Sequence, residues 1–367
     1  MTLITMKDYI YATPDRILNN VQNAKNLVDP LVKLYIQNNY KQITFVASGS
    51  SYTAIHCARN FLCEILKTEI KIINPFTFTN YDYRYVKDNH FVVIVSQSGA
   101  STNCIDALKK LSEIKHKRYV LTGNIHSDCR EYADEIIDWG CGNETMGYVT
   151  LGVVSLIAYL MLFGVYAAKR LNISDKIDYC QNQINKAMNI HKEICQKTET
   201  FIQINYQSLM QMNKVYVLGC GANYGTALEG ALKIGETVKV LAVGYEQDEF
   251  LHGPAIQLNP QYTLFLIDSG DGTSSHALQV FNALQKVSPL VYMITVQNIN
   301  HPHVIKVDNP CDEPFSCLYY LPFFQLIAET ISTDLDSKKS HPLYYEMNKV
   351  IDFRTAEFRK YHAPEED

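Results

Sequence analysis

The chain has 367 residues, 47% apolar and 19% charged, with a net charge of −5 at pH 7 and a pI near 6.1. This composition forms cores and excludes a disordered chain, and the acidic excess excludes a general nucleic-acid binder. Two domains of ordinary size fit this length. Ten Cys without a C-x-x-C pair and eleven scattered His leave no zinc framework legible, so no metal is expected and the free thiols fit a reducing cytoplasm.

At the N-terminus, Lys7, Asp8 and Asp15 stand where a secretory signal needs an apolar core, so no signal peptide is read there. Residues 14–40 carry Ile17, Leu18, Val21, Ala24, Leu27 and Val28 at helical spacing, with Pro14 expected at the helix start. Ile43–Ala47 then reads as a short buried strand running into Ser48-Gly49-Ser50-Ser51-Tyr52 and a helix over Thr53–Leu66. Lys71–Ile73, Phe91–Val95, Arg118–Thr122 and Glu135–Trp139 supply four more strands. The strand at Phe91–Val95 opens into Ser96-Gln97-Ser98-Gly99-Ala100-Ser101-Thr102 and a helix. Thr150–Ala168 is uncharged and close to bilayer-spanning length. It lacks aromatic flanks and a partner span, and it sits inside a repeating α/β pattern, so a buried helix is expected and no membrane span.

After a helical connection over Leu171–Ile204 the pattern repeats. Val215–Leu218 runs into Gly219-Cys220-Gly221-Ala222-Asn223-Tyr224 and a helix; Thr237–Val243 is a β-branched run; Thr263–Ile267 opens into Asp268-Ser269-Gly270-Asp271-Gly272; Val291–Thr295 follows. Tyr52 pairs with Tyr224 and Ser96 with Asp268 at one shared offset, the signature of an internal duplication. The expected fold is α/β, two tandem three-layer sandwiches, each with a five-stranded parallel sheet and its ligands at the carboxyl ends of the strands. The expected divisions are 1–170, a helical connection over 171–204, 205–350, and a tail over 351–367.

The loops of the first half are rich in hydroxyls. Serines and backbone N–H groups at helix N-termini form an anion site without a cation, and phosphate is the natural ligand, although Ser also caps helices where nothing binds. In the second half Asp268 and Asp271 would repel an anion, so one phosphate site is expected per chain. A dinucleotide site is disfavoured: in Gly219-Cys220-Gly221-Ala222-Asn223-Tyr224-Gly225 the third Gly comes one place late, and no acidic residue is read at the end of the next strand.

The most informative stretch is Ala227–Pro254. Glu229, Lys233 and Glu236 fall at i, i+4 and i+7, one helical face carrying acid, base and acid, and His252-Gly253-Pro254 follows on a rigid turn. A helix carboxylate with a loop imidazole suits proton transfer around a carbonyl. A surface ion pair and a strand-ending His fit the same residues.

The combination S-G-S-S, S-Q-S-G-x-S, A-L-E-G-A-L-K-x-x-E and H-G-P resembles the double sugar-isomerase (SIS) domain family, in particular the isomerase half of glucosamine-6-phosphate synthase and the fructosamine-6-phosphate deglycases. The resemblance implies a phosphate cradle of Ser51, Ser96, Gln97, Ser98 and Ser101, and sugar contacts from Gly49, Ser50 and Glu144. It implies Glu236 as the proton shuttle between the first two sugar carbons, with Lys233 beside it. His252, sixteen residues on as in both relatives, is implied for ring opening, reaching in from a neighbouring subunit. A homodimer with interfacial sites follows from the same resemblance, and the apolar helices at Thr150–Ala168 and Cys317–Ile331 would otherwise need other cover.

Three departures stand against the synthase. The sequence opens directly on its first helix with no glutaminase half; Gly147-Tyr148-Val149-Thr150 replaces Ser-Thr-Lys after Glu144; and the family's C-terminal lysine has only Lys349, or its rival Lys339, as a match. The expectation is a cytoplasmic, cofactor-independent enzyme that takes a ketosamine 6-phosphate to an aldose 6-phosphate and a free amine. A phosphosugar isomerase, an amino-sugar phosphate deaminase and a non-catalytic phosphosugar-binding regulator are the alternatives.

Overall fold

The computed structural model describes residues 5–38, 40–351 and 353–357. Chain order is α1 (Met6–Gln22), α2 (Ala24–Ile36), β1 (Gln42–Ala47), α3 (Gly49–Leu66), β2 (Glu69–Ile73), α4 (Pro75–Asn80), β3 (His90–Ser96), α5 (Thr102–Glu113), β4 (Tyr119–Thr122), β5 (Glu135–Asp138) and α6 (Leu151–Arg170). It continues with α7 (Ile177–Leu209), β6 (Lys214–Gly219), α8 (Ala222–Val238), β7 (Leu241–Glu246), β8 (Tyr262–Ile267), α9 (Ser274–Leu284), β9 (Val291–Thr295), β10 (Val304–Lys306), α10 (Cys317–Asp334) and α11 (Pro342–Val350).

The strands form two five-stranded sheets, β2-β1-β3-β4-β5 and β10-β9-β8-β6-β7, with parallel pairing throughout. Read from each half's own first strand, both orders are 2-1-3-4-5, so the duplication extends to topology. A parallel sheet is covered on both faces, which is why β1 and β8 are buried along their whole length and β3 from Phe91 onward, with mostly apolar side chains. The halves meet through α3 against α8. Glycine makes the approach possible: a Cβ on Gly225 would stand 2.4 Å from Cys57 N and 2.7 Å from Thr53 O. Of the described helices, α6 alone is long and apolar enough to cross a membrane, but 94% of its apolar window is buried against other elements of the fold. All ten cysteines are free thiols.

Several element boundaries differ from the sequence expectation. The first helix starts at Met6, where Thr5 and Asp8 form a capping box, and Pro14 lies inside it. Pro14 has no N–H for the Ile10 carbonyl, and Pro322 in α10 likewise frees the carbonyl of Leu318. The ring of fully buried His191 sits between those two carbonyls, Nε2 at 3.2 Å from Ile10 O and Nδ1 at 3.1 Å from Leu318 O. One imidazole in α7 thus lies against both freed carbonyls, and in its neutral form its single N–H donates to one of them. Thr237 and Val238 belong to α8 and not to a strand. The Thr237 hydroxyl returns to the Lys233 carbonyl at 2.7 Å, Lys239 closes the helix at φ +64°, and the strand itself is β7. The strand's last residue is Glu246, the acidic strand end that the sequence was read as lacking. Its carboxylate turns back onto the N–H groups of Asp248 and Glu249, at 2.8 and 2.9 Å. The 171–204 connection is α7, which runs on to Leu209, and β10 was not anticipated. Only residues 351 and 353–357 of the 351–367 tail lie within the described residues.

Burial holds His191 down at about 4, although both carbonyl contacts pull the other way. An exposed His titrates near 6.5, so between these values the unfolded chain binds a proton that the folded chain does not. This contribution to stability is complete above pH 6.5, falls as pH drops toward 4, and amounts to about 3 kcal/mol over that range. Nitrogen NMR of the imidazole should find His191 still neutral at pH 5.5; a midpoint near 6.5 would refute the assignment.

Candidate active site

Two helix N-termini converge at the carboxyl edge of the first sheet. Pairing of Ala47 with Val95 sets the loop before α3 beside the loop before α5, and Asn103 Nδ2 donates across to Ser48 Oγ at 3.2 Å. Helix α3 starts at Gly49 (φ +56°), four residues earlier than expected, which puts Ser50 and Ser51 in its first turn, both buried. Neither Ser48 nor Ser101 caps its own helix through its side chain. N–H groups and hydroxyls therefore gather at one place, which is the arrangement that holds an anion.

Gln97 extends from the second loop and donates to Glu144 Oε2 at 2.7 Å. Glu144 also accepts from the N–H groups of Thr150, Leu151 and Gly152, at 2.7, 2.9 and 3.1 Å, so it caps α6 with both oxygens. A Cβ on Gly152 would lie 1.9 Å from Gln97 Oε1, so a side chain there would displace the Gln97 amide. The glutamate expected to contact the sugar is thus tied to the cradle through Gln97 and to the backbone of α6.

Helix α8 lays its charged face across α3. Glu229 (0% exposed) accepts from Ser50 Oγ at 2.9 Å and from Thr53 Oγ1 at 2.5 Å. Lys233 (1% exposed) donates to Ser50 Oγ at 3.2 Å, lies 3.2 Å from Glu229 Oε1 and is paired with Glu236 Oε1. Burial opposes the charge on Lys233, but the two carboxylates hold its pKa above the ordinary value. Burial raises the pKa of Glu229. Glu236, with 30% of its side chain exposed, is the member of the row that meets solvent. The structure therefore brings Lys233, Glu236, Ser50 and the cradle edge together across the two halves.

It does not bring His252 to them within one chain. His252 ends an exposed turn over Glu249–His252, and its neighbour Phe250 packs on the sheet face of Tyr216 and Leu218, whereas α8 lies on the opposite face with Val217 and Ala227. Lys349 is exposed on α11 and paired with Glu346 at 2.7 Å, and Lys339 is exposed as well. Lys338, one residue before Lys339, follows a residue that is bonded to the end of α8. Its neighbour Ser337 donates to the Thr237 carbonyl at 2.9 Å, and Lys338 itself pairs with Glu329 at 2.6 Å.

Thr53 and Tyr148 are not singled out by the sequence, and Glu229 is read there only as the first member of the charged helix face. Tyr148 has its pKa raised by burial and by the charge of Glu236, and its hydroxyl donates to the Lys338 carbonyl at 2.8 Å. The helical spacing that exposed Lys233 and Glu236 also carried Glu229; nothing local to Thr53 or Tyr148 signals their place. In the second half the matching helix start is occupied from within, since Ala222 N donates to Glu313 Oε1 at 3.0 Å. An anion is excluded there by a carboxylate at the helix start as well as by the nearby aspartates. Among the described residues no group of three or more His, Cys, Asp or Glu could hold a metal ion.

Two parallel sheets of one strand order, joined so that a charged helix of the second half crosses the serine-rich loops of the first, define a tandem α/β protein. The chain belongs to the SIS domain family, whose model matches residues 38–165 and 208–301. It is 26% identical over 344 residues to the glutamine–fructose-6-phosphate aminotransferase (isomerizing) of Pyrococcus horikoshii, covering 83% of this chain and 54% of that protein. The Thermococcus kodakarensis aminotransferase is 22% identical over 324 residues, covering 87% and 53%. The chain thus spans about half the length of these curated relatives. A Clostridium difficile 630 structure provisionally assigned as a phosphosugar isomerase superposes with a TM-score of 0.86 at 26% identity, covering 94% of this chain and 98% of that one. The C-terminal domain of glucosamine-fructose-6-phosphate aminotransferase from Francisella tularensis gives 0.81 at 19% identity, covering 92% and 98%.

Proposed function

We propose that the chain catalyses proton transfer between C1 and C2 of a 6-phosphorylated ketosamine, releasing the amine as a deglycase does. The observation that carries this reading is the row Glu229–Lys233–Glu236 set across Ser50 at the edge of the serine loops. A phosphate held by those loops presents the other end of the sugar to Glu236. The carboxylate removes a proton from C1, giving an enolamine, and returns one to C2, giving an aldimine at C1. Water adds to the aldimine, the C–N bond breaks, and an aldose 6-phosphate and a free amine leave; one water is consumed and no electrons change hands. Lys233 is held between two carboxylates, which suits a reaction whose nitrogen comes with the substrate and needs no lysine nucleophile. The motif resemblance to fructosamine-6-phosphate deglycases supports a ketosamine substrate.

His252 completes the site, in this reading, from a second copy of the chain; its own turn is anchored through Phe250 on the sheet face opposite α8. A homodimer in the cytoplasm is the corresponding assembly. Simple ketose–aldose isomerisation uses the same proton transfer, and the likeness to the Clostridium difficile structure favours it as the second reading.

A coupled assay for glucose 6-phosphate over a panel of fructosyl amino acid 6-phosphates, with fructose 6-phosphate alongside, tests the proposal. Glucose 6-phosphate with stoichiometric free amino acid is expected. Turnover of fructose 6-phosphate alone would replace the deglycase reading with the isomerase one.

A further inference from the structure

The serine loops hold no Lys or Arg of their own, yet a sugar phosphate arrives as a dianion near neutral pH. Resting on the phosphosugar reading above, we infer that Arg354 is the cationic member of the phosphate cradle, carried there by a strap formed by Phe353–Thr355. After α11 the chain returns to the first domain and pairs with the second serine loop. Ser101 and Arg354 form an antiparallel bridge, Thr102 N donates to Phe353 O at 3.3 Å, and Thr355 N donates to Ala100 O at 3.0 Å. The Thr355 hydroxyl is bonded to Asp128 Oδ2. Between these two anchored neighbours, Arg354 Nη1 donates to Ser98 Oγ at 3.0 Å and to Ser101 Oγ at 2.9 Å.

The loop that receives the strap is fixed. Gly99 sits at φ +61°, where a Cβ would lie 1.8 Å from Ser127 Oγ, and its carbonyl accepts from Cys129 N at 3.0 Å. A strap docked on such a loop puts its guanidinium in a defined place.

The hydrogen bonds also set the polarity of the cradle. A serine oxygen that accepts from a guanidinium must point its own proton elsewhere. Ser98 Oγ accepts from Ala100 N as well, at 3.3 Å, which leaves its O–H to donate. Arg354 thereby turns two cradle hydroxyls into donors for a phosphate oxygen while placing its own charge beside them. Burial lowers the guanidinium pKa from its ordinary value, so the cation is partly stripped of water and attracts an anion more strongly than a solvated one. The opposite arrangement, a strap that plugs the cradle, uses the same contacts but makes the opposite prediction.

Titration calorimetry of the full chain with fructose 6-phosphate, inorganic phosphate and unphosphorylated fructose separates them. Arg354→Gln should weaken fructose 6-phosphate and inorganic phosphate 10- to 100-fold, leave fructose unchanged and flatten the salt dependence of Kd; Arg354→Lys should recover part of the loss. Loss of affinity for fructose in parallel with phosphate would mark general damage to the strap and overturn the inference, as would phosphosugar affinity in Arg354→Gln equal to or tighter than that of the parent chain. A parent chain that binds neither phosphosugar nor phosphate would overturn the phosphosugar reading together with it.

Discussion

Glu236→Gln is expected to lower kcat by about 10³-fold, within the 10² to 10⁴ that a positioned general base contributes. Phosphosugar affinity should change less than about threefold, since the amide lacks basicity but keeps the side chain's shape. Its oxygen can still accept from Lys233, so the row on α8 stays in place. The loss corresponds to about 4 kcal/mol of transition-state stabilisation. Steady-state rates with titration calorimetry on the same variant provide the check, and near-normal kcat would remove Glu236 from the mechanism.

Glu229→Ala should be the most destabilising single replacement at the site. It takes one carboxylate from a buried lysine and removes the acceptor of the Ser50 hydroxyl, which donates to Glu229 at 2.9 Å, while Thr53, at 2.5 Å, is left with the Ser50 carbonyl at 3.0 Å. Breaking a buried ion pair in this way costs about 3–5 kcal/mol, on the order of a 10 °C fall in Tm for a protein of this size. The double replacement Glu229→Leu with Lys233→Met removes both charges and fills the space. It should recover most of the stability, because apolar pairs often equal buried ionic ones, while turnover stays lost. A double variant as unstable as the single one would show that the row holds the fold by packing and not by charge compensation. Calorimetric melting of the parent, the single and the double variants decides it.

How much of this the sequence displays depends on how local the signal is. Strand, polar loop and helix in immediate succession made β1–α3, β3–α5 and β6–α8 legible, and the shared offset of Tyr52 with Tyr224 exposed the duplication. Lys233 and Glu236 were legible because they occupy one helix face. Local propensity misled at Thr237–Val238, where the bond from the Thr237 hydroxyl to Lys233 O and the left-handed Lys239 carried the helix past a β-branched pair. Pro14 looked like a helix start because its compensation, His191, lies 177 residues away in α7. Glu229 meets Ser50 across 179 residues and Arg354 meets Ser101 across 253, contacts that periodicity does not reach. Lys349, the candidate set beside Lys339 for the family's C-terminal lysine, is exposed on α11 and paired with Glu346.

The most direct test of the central claim is proton exchange with solvent. The chain is incubated in D2O with a fructosyl amino acid 6-phosphate or with fructose 6-phosphate, and the sugar carbons are followed by NMR. Deuterium entering at C1 or C2 with the parent chain, and not with Glu236→Gln, is the predicted result. Tight binding of the phosphosugars with no deuterium incorporation would contradict it and leave a phosphosugar-binding protein without this chemistry.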